Sequence, residues 1–293
     1  MVGDVRQGLA LFAAMAALFL ASLFVLYSVE AAGNPLLTAL GLDPANGNLE
    51  GKDLRFGQSG AALFVAATTG TGTGAANAAL DSLTPIGGLV PMFNLFAGCI
   101  APGGVGSGLY SILLLAVITV FVAGLMVGRT PEYLGKKIEA REMRLALLAL
   151  LVQPALTLGF AAVAVNLPVA VASLGNSGPH GFSEILYAYA STASDNGSTF
   201  GGLSANTLWF NITTAVALLL GRFAHVIPLL AMAGALAQKK KAKESAGTFP
   251  THGPLFVLLL LGVVVVVTLL QFFPAIALGP LAEYFLLASG KTF

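Results

Sequence analysis

Long apolar runs constrain this chain more than any other feature. Four regions, about 8–29, 145–166, 207–236 and 254–278, each supply the roughly 20 predominantly apolar residues that a membrane-crossing helix needs. A fifth, about 83–128, is too long for one straight crossing. At ~1.5 Å per residue it would reach roughly 70 Å, against a hydrocarbon core of ~30 Å. It must break, and Pro102-Gly103-Gly104-Val105-Gly106-Ser107-Gly108 is where the sequence breaks most readily. Backbone opened at membrane depth survives only where protein or a water-filled cavity satisfies its polar groups, so the glycine run hints at a pathway.

Composition agrees with a lipid-embedded chain. Of 293 residues, 57% are hydrophobic and 9% charged, whereas a soluble domain carries about 25% charged residues. A net charge of +1 gives no case for a nucleic-acid partner. The single cysteine, Cys99, excludes an internal disulfide framework and a multi-cysteine metal site. It reads as a small apolar filler within a helix. The run Gly8 to Val29 is long enough to span and lacks the small-residue cleavage signature of a removable signal peptide.

Basic residues set the expected orientation. Five of the 14 Lys and Arg lie in 129–144 (Arg129, Lys136, Lys137, Arg141, Arg144) and four in 239–243 (Lys239, Lys240, Lys241, Lys243). The positive-inside rule makes both loops cytoplasmic, and Arg6 puts the N-terminus on the same side. One crossing per region then leaves 30–81, 167–205 and the C-terminus outside.

The two outer segments repeat one another. Each holds a half-length apolar stretch, Ser59 to Ala67 and Phe182 to Ala190, too short to cross and suited to a re-entrant helix. Each stretch runs into a polar, glycine-bearing tail, Thr68 to Asn77 and Ser191 to Phe200. At a constant offset of 123, Thr68, Thr69, Thr71 and Gly74 match Ser191, Thr192, Ser194 and Gly197. With a spanning helix before and after, each is a helix, pore loop, helix unit, and the unit is present twice.

That pattern suits a dehydrated alkali cation. Such an ion needs its water shell replaced by oxygens, which backbone carbonyls on an extended, glycine-permitted strand supply. A re-entrant helix aimed at the membrane centre also brings its negative C-terminal dipole end to the cation. The competing reading is that small-residue runs merely let helices pack closely. The run Gly70, Gly72, Gly74 superficially suggests a phosphate-cradling turn. It lacks a following Gly-Lys-Ser/Thr and a βαβ context, so no nucleotide is expected to bind this chain.

Several stretches resemble one family closely: the potassium-binding A subunit of the bacterial Kdp ATP-driven potassium transporter. They include Asn48-Leu49-Glu50-Gly51-Lys52, Arg55-Phe56-Gly57, and Gly103-Gly104-Val105-Gly106-Ser107-Gly108-Leu109-Tyr110. Gly128-Arg129-Thr130-Pro131-Glu132-Tyr133-Leu134-Gly135-Lys136-Lys137 and Gly178-Pro179-His180-Gly181-Phe182-Ser183-Glu184 continue the match. Asn196-Gly197-Ser198, Gly202-Leu203-Ser204-Ala205-Asn206-Thr207 and Thr251-His252-Gly253-Pro254-Leu255-Phe256 complete it.

The resemblance implies an all-α integral membrane fold with four pore repeats around one pathway. The two repeats here resemble the third and fourth, followed by the closing helix. The expected units are 1–144 (pore loop about 57–78), 145–243 (pore loop about 181–202) and 244–293. The same resemblance implies a bacterial inner-membrane location and no ATPase site on this chain. ATP hydrolysis would belong to a P-type B subunit, with a C subunit and a small F subunit as further partners. The upstream half of the A subunit would complete the filter. Thr71, Gly72, Thr73, Gly74, Asp195, Asn196, Gly197 and Ser198 are the expected potassium filter; Gly103, Gly104, Gly106, Gly108 and Arg129 are the expected pathway or gate. Two departures stand out: Thr73 where the family often has cysteine, and Cys99 where an acidic residue is expected.

Charges in or beside the membrane segments complete the reading. Arg129 either opens the cytoplasmic loop or, as the resemblance implies, forms a barrier below the filter with the glycine break. Arg222 is read as a structural ion-pair partner and His225 as a hydrogen-bonded helix residue. Asp195 is placed to concentrate cations at the filter, and Glu184 to cap a helix or face solvent. The rival functions are an independent potassium channel or ion-coupled symporter subunit, and a scaffold whose glycines only pack helices.

Overall fold

A computed structural model describes residues 4–241 and 248–290. Lys243 and the expected 243/244 unit boundary lie outside the described residues.

Five helices are long and apolar enough to cross a membrane. Helix α1 (Val5–Ala31) begins at Asp4, whose carboxylate accepts the Arg6 N–H at 2.9 Å. After the short α2 (Pro35–Ala39) and an irregular stretch comes α3 (Gly57–Thr71), only 15 residues long. The over-long fifth region is two helices, α4 (Pro85–Phe96) and α5 (Ser107–Val127). A two-residue hairpin, β1 (Glu132–Tyr133) with β2 (Lys136–Lys137), leads into α6 (Ala140–Ala164), which opens on a Glu139/Glu142 capping box. A short α7 (Pro168–Val171) precedes α8 (Gly178–Ala193), the second half-length helix at 16 residues. The long α9 (Leu208–Gln238) and α10 (Pro254–Ile276) follow, and α10 turns through Ala277–Leu281 into α11 (Ala282–Ala288).

The half-length helices α3 and α8 reach only ~23 Å at ~1.5 Å per residue, short of a ~30 Å core. They are packed inside the bundle. Val65, Tyr187 and Tyr189 are fully buried with Met92 and Leu95 of α4 in one apolar core, where Phe96 stacks on Phe272 at 4.1 Å. A second core joins the start of α1 to α5 and α10 through Leu11, Ile112, Leu115, Leu260 and Val264. Phe12, Phe24, Met126, Leu230 and Leu270 project outward uncovered. Such a surface suits a solvent as apolar as lipid, where burying leucine against leucine gains little.

Two departures from the sequence reading concern the break. It begins at Ala97, ahead of the glycine run, because helix α4 ends at Phe96. Cys99 is buried, as expected of an apolar filler, but it lies in no helix: its φ of 53° is left-handed.

Polar staples hold both ends of the bundle. At one end Lys52 Nζ meets Glu30 Oε2 at 2.7 Å, both side chains buried. The same carboxylate accepts Asn48 Nδ2 at 3.0 Å, Thr84 N–H at 2.9 Å and Thr84 Oγ1 at 2.7 Å. At the other end Lys239 Nζ donates to Glu142 at 2.6 Å and to the Lys137 carbonyl at 3.0 Å, interlocking the two basic loops.

Candidate cation site

Helices α3 and α8 end alike. Gly72, the residue after α3, and its counterpart at the shared offset, Asp195, two residues past α8, are both left-handed, with φ 66° and 57°. Two residues further, Gly74 and Gly197 are left-handed again, with φ 71° and 80°. The backbone bond Thr73 N–H to Thr68 carbonyl, 3.2 Å, recurs as Asn196 N–H to Ser191 carbonyl, 2.9 Å. The repeat in the sequence is therefore a repeat in the course of the chain. Both helices direct their C-terminal, partially negative ends at these turns.

The two turns touch. Asn196 Nδ2 donates to the Thr68 carbonyl at 3.2 Å. A Cβ on Gly74 would lie 2.1 Å from the Asn196 carbonyl oxygen, so no side chain fits there; at Gly197 a Cβ would meet open space. Local hydroxyls brace each strand. Thr68 Oγ1 bonds Thr73 Oγ1 and the Ala75 carbonyl, both at 2.7 Å, so the Thr73 oxygen turns back toward α3. Ser198 Oγ bonds Tyr187 Oη at 2.8 Å. Thr73, Ala75, Gly197 and Thr199 are exposed, so each turn keeps positions that the other does not cover.

The glycine break lies directly under the first turn. Gly103 N–H donates to the Gly70 carbonyl at 3.1 Å, and a Cβ on Gly104 would lie 2.8 Å from the Thr71 carbonyl oxygen. Gly103 and Gly108 abut closely, since a Cβ on Gly108 would be 2.3 Å from the Gly103 Cα. Gly106, with φ 77°, starts α5 in open space. Arg129 is not brought to this group. It follows the Gly128 cap at the far end of α5, a 21-residue helix of ~31 Å. There it is exposed and donates to the Thr248 carbonyl at 3.2 Å.

Arg222 Nε pairs with Asp195 Oδ2 at 3.2 Å. The carboxylate beside the second turn thus faces a guanidinium, which offsets its charge. Cys99, where the resemblance led to an acid, packs 3.7 Å from where a Cβ on Gly72 would sit. His225 Nδ1 bonds the Ala149 carbonyl at 2.9 Å, as a hydrogen-bonded helix residue should. Glu184 is fully buried rather than solvated: it accepts the Gly175 and Asn176 N–H groups, each at 3.0 Å, and so fixes the loop before its helix.

Sequence reasoning missed Asp81. Its N–H donates to the Phe200 carbonyl at 2.6 Å, and its carboxylate meets His180 Nε2 at 2.8 Å. The only prior signal was one of five acids in 30–81 and the single histidine of 167–205.

Comparisons with known proteins give the chain a family. A family model for the potassium-transporting ATPase A subunit matches residues 1–285. Proteins named potassium-transporting ATPase potassium-binding subunit from Allorhizobium ampelinum and Mesorhizobium japonicum are 59% and 58% identical over the whole chain, covering 52% and 51% of their own lengths. One from Solibacter usitatus is 56% identical over 99% of this chain and 51% of its own length. The chain spans about half the length of the curated relatives it matches. Five long apolar helices and the family match make it a multi-pass, predominantly α-helical membrane protein. It belongs to the potassium-transporting ATPase A subunit family.

Proposed function

We propose that this chain supplies half of a potassium filter in the membrane subunit of an ATP-driven importer. The observation that carries the reading is the contact of two repeated turns, Gly72–Gly74 and Asp195–Gly197, within a family whose relatives are named as potassium-binding subunits. Carbonyl oxygens of Thr71, Gly72, Thr73 and Gly74 and of Asp195, Asn196, Gly197 and Ser198 would replace the water of a potassium ion. The negative ends of α3 and α8 add to the attraction. Two further loops, from the upstream half of the subunit, would cover the exposed positions of these turns and close the ring.

The units 1–144, 145–243 and 244–293 then act as a third-type repeat, a fourth-type repeat and a closing helix. The N-terminus and basic loops face the cytoplasm and the C-terminus faces outward, across a bacterial inner membrane. Gly103, Gly104, Gly106 and Gly108 form the glycine floor below the filter, and Arg129 lies at the cytoplasmic end of the pathway. The ion passes to a P-type B subunit that hydrolyses ATP, assisted by C and F subunits; this chain binds potassium and no nucleotide. The test is potassium binding by the assembled complex, with sodium as competitor, for the parent and for Gly74→Ser with Gly197→Ser. Unchanged potassium preference in both variants would remove these turns from the filter.

A further inference from the structure

Three elements meet away from the basic loops, where Asp81, His180 and Glu283 line a cavity of about 220 Å³. His180, near the start of α8, directs Nε2 to Asp81 Oδ1 and Nδ1 to Glu283 Oε1, both at 2.8 Å. A carboxylate accepts hydrogen bonds and donates none, so both ring nitrogens must donate, which only an imidazolium can do. Asp81 follows the first turn; Glu283 sits on α11.

This clasp is wired to both turns. Asp81 N–H donates to the Phe200 carbonyl at 2.6 Å, joining the segment after the first turn to the segment after the second. Asn176 Nδ2 adds a bond to the Asp81 carboxylate at 3.2 Å. The His180 ring packs on Phe200, centroids 5.7 Å apart, and Phe200 packs on Tyr187 at 5.0 Å. Tyr187 in turn holds Ser198 beside Gly197. We propose that His180, charged and clasped between Asp81 and Glu283, is a positioning residue that sets the spacing of the two filter strands.

The proposal rests on the filter reading above and adds a pH dependence to it. Glu184 lies on the same helix close to Asp81 and His180, and Glu50 lines the cavity from the stretch before α3. The segment carrying Phe200 brings no titratable group beyond Asp195, which faces Arg222. Among the described residues no Lys or Arg lines the cavity, so the imidazolium is surrounded by acids. The group is poorly suited to hold a metal ion, since both imidazole nitrogens are engaged and the Glu184 oxygens take backbone N–H groups. Burial alone would lower the His180 pKa; the bonds to Asp81 and Glu283 outweigh it and push it up to about 10. A raised folded-state value means the clasp contributes fully below about pH 6.5, the usual histidine value. It is lost as pH rises through about 10.

The test is potassium binding by the assembled complex with sodium as competitor, from pH 7 to 10.5, alongside melting temperature over the same range. The parent should lose roughly tenfold in potassium preference as the pH passes 10, the scale of one charged hydrogen bond. His180→Gln should start weakened at pH 7 and stay flat, and Glu283→Gln in that background should recover part of the loss. A parent whose preference stays constant to pH 10.5 overturns the proposal, even if its melting temperature falls, because the clasp is then structural only. If His180→Gln fails to assemble, the parent's pH profile decides alone. A parent without potassium preference at pH 7 is a different failure: it overturns the filter reading and this proposal with it.

Discussion

Gly72 and Asp195, 123 positions apart, share one left-handed backbone conformation at the end of matched half-length helices. For glycine that conformation costs little; for aspartate it is a strained choice that the surrounding structure must hold. Backbone bonds from Asp195 N–H to Thr192 and from Asn196 N–H to Ser191 hold the turn, and Arg222 lies 3.2 Å from the carboxylate. Replacing Asp195 with Asn should weaken potassium binding and leave Arg222 uncompensated beside the turn. The double variant Asp195→Asn/Arg222→Gln should lose less than the two single losses combined. Additive losses in this double-mutant cycle would separate the two residues.

Gly74 and Gly197 should differ in their tolerance of a side chain. Gly74→Ala places a methyl 2.1 Å from the Asn196 carbonyl oxygen, so a strand must move. Gly197→Ala meets open space and bears only the left-handed strain, ~1–2 kcal/mol. Potassium-over-sodium preference should therefore fall much further for Gly74→Ala. Equal and negligible effects would contradict the close approach of the two turns.

Glu30 and Lys52 form a buried pair whose partners are all satisfied, so removing one partner strands the other. Lys52→Met should cost ~3–5 kcal/mol, the range for breaking a buried ion pair, and lower the melting temperature. A melting temperature unchanged from the parent would show that the pair is dispensable.

Arg129 lies at the opposite end of α5 from the glycine break. Neutralising it as Arg129→Gln should change ion leak or the coupling of transport to ATP hydrolysis while sparing potassium affinity. Unchanged leak and coupling would make it an ordinary loop residue bonded to Thr248.

Elements set by local pattern were legible in the sequence. Hydropathy located the five long helices, and the offset between Thr68–Gly74 and Ser191–Gly197 foretold turns of the same course. The glycine break was legible in place though not in extent: α4 already stops at the isolated Gly98, left-handed at φ 84°, four residues ahead of the run that begins at Pro102. Pairings across the bundle were not legible. His180 reaches Asp81 and Glu283 from 99 and 103 positions away, and only packing decides such distances. Arg222 looked like an ion-pair partner from its depth in an apolar helix, yet its partner emerged only when α9 was seen beside the second turn.

The central claim is that these two turns are half of a ring that needs two more. An ion stripped of water needs oxygens on all sides, and Thr73, Ala75, Gly197 and Thr199 of the two turns remain exposed. The direct measurement is potassium flux into vesicles, with sodium as competitor, from the purified 293-residue chain and from the chain co-expressed with a polypeptide carrying the two further loops and the ATPase partners. The account predicts no selective flux from the chain alone and ATP-dependent, potassium-selective flux from the assembly. Selective potassium flux from the chain by itself would contradict it.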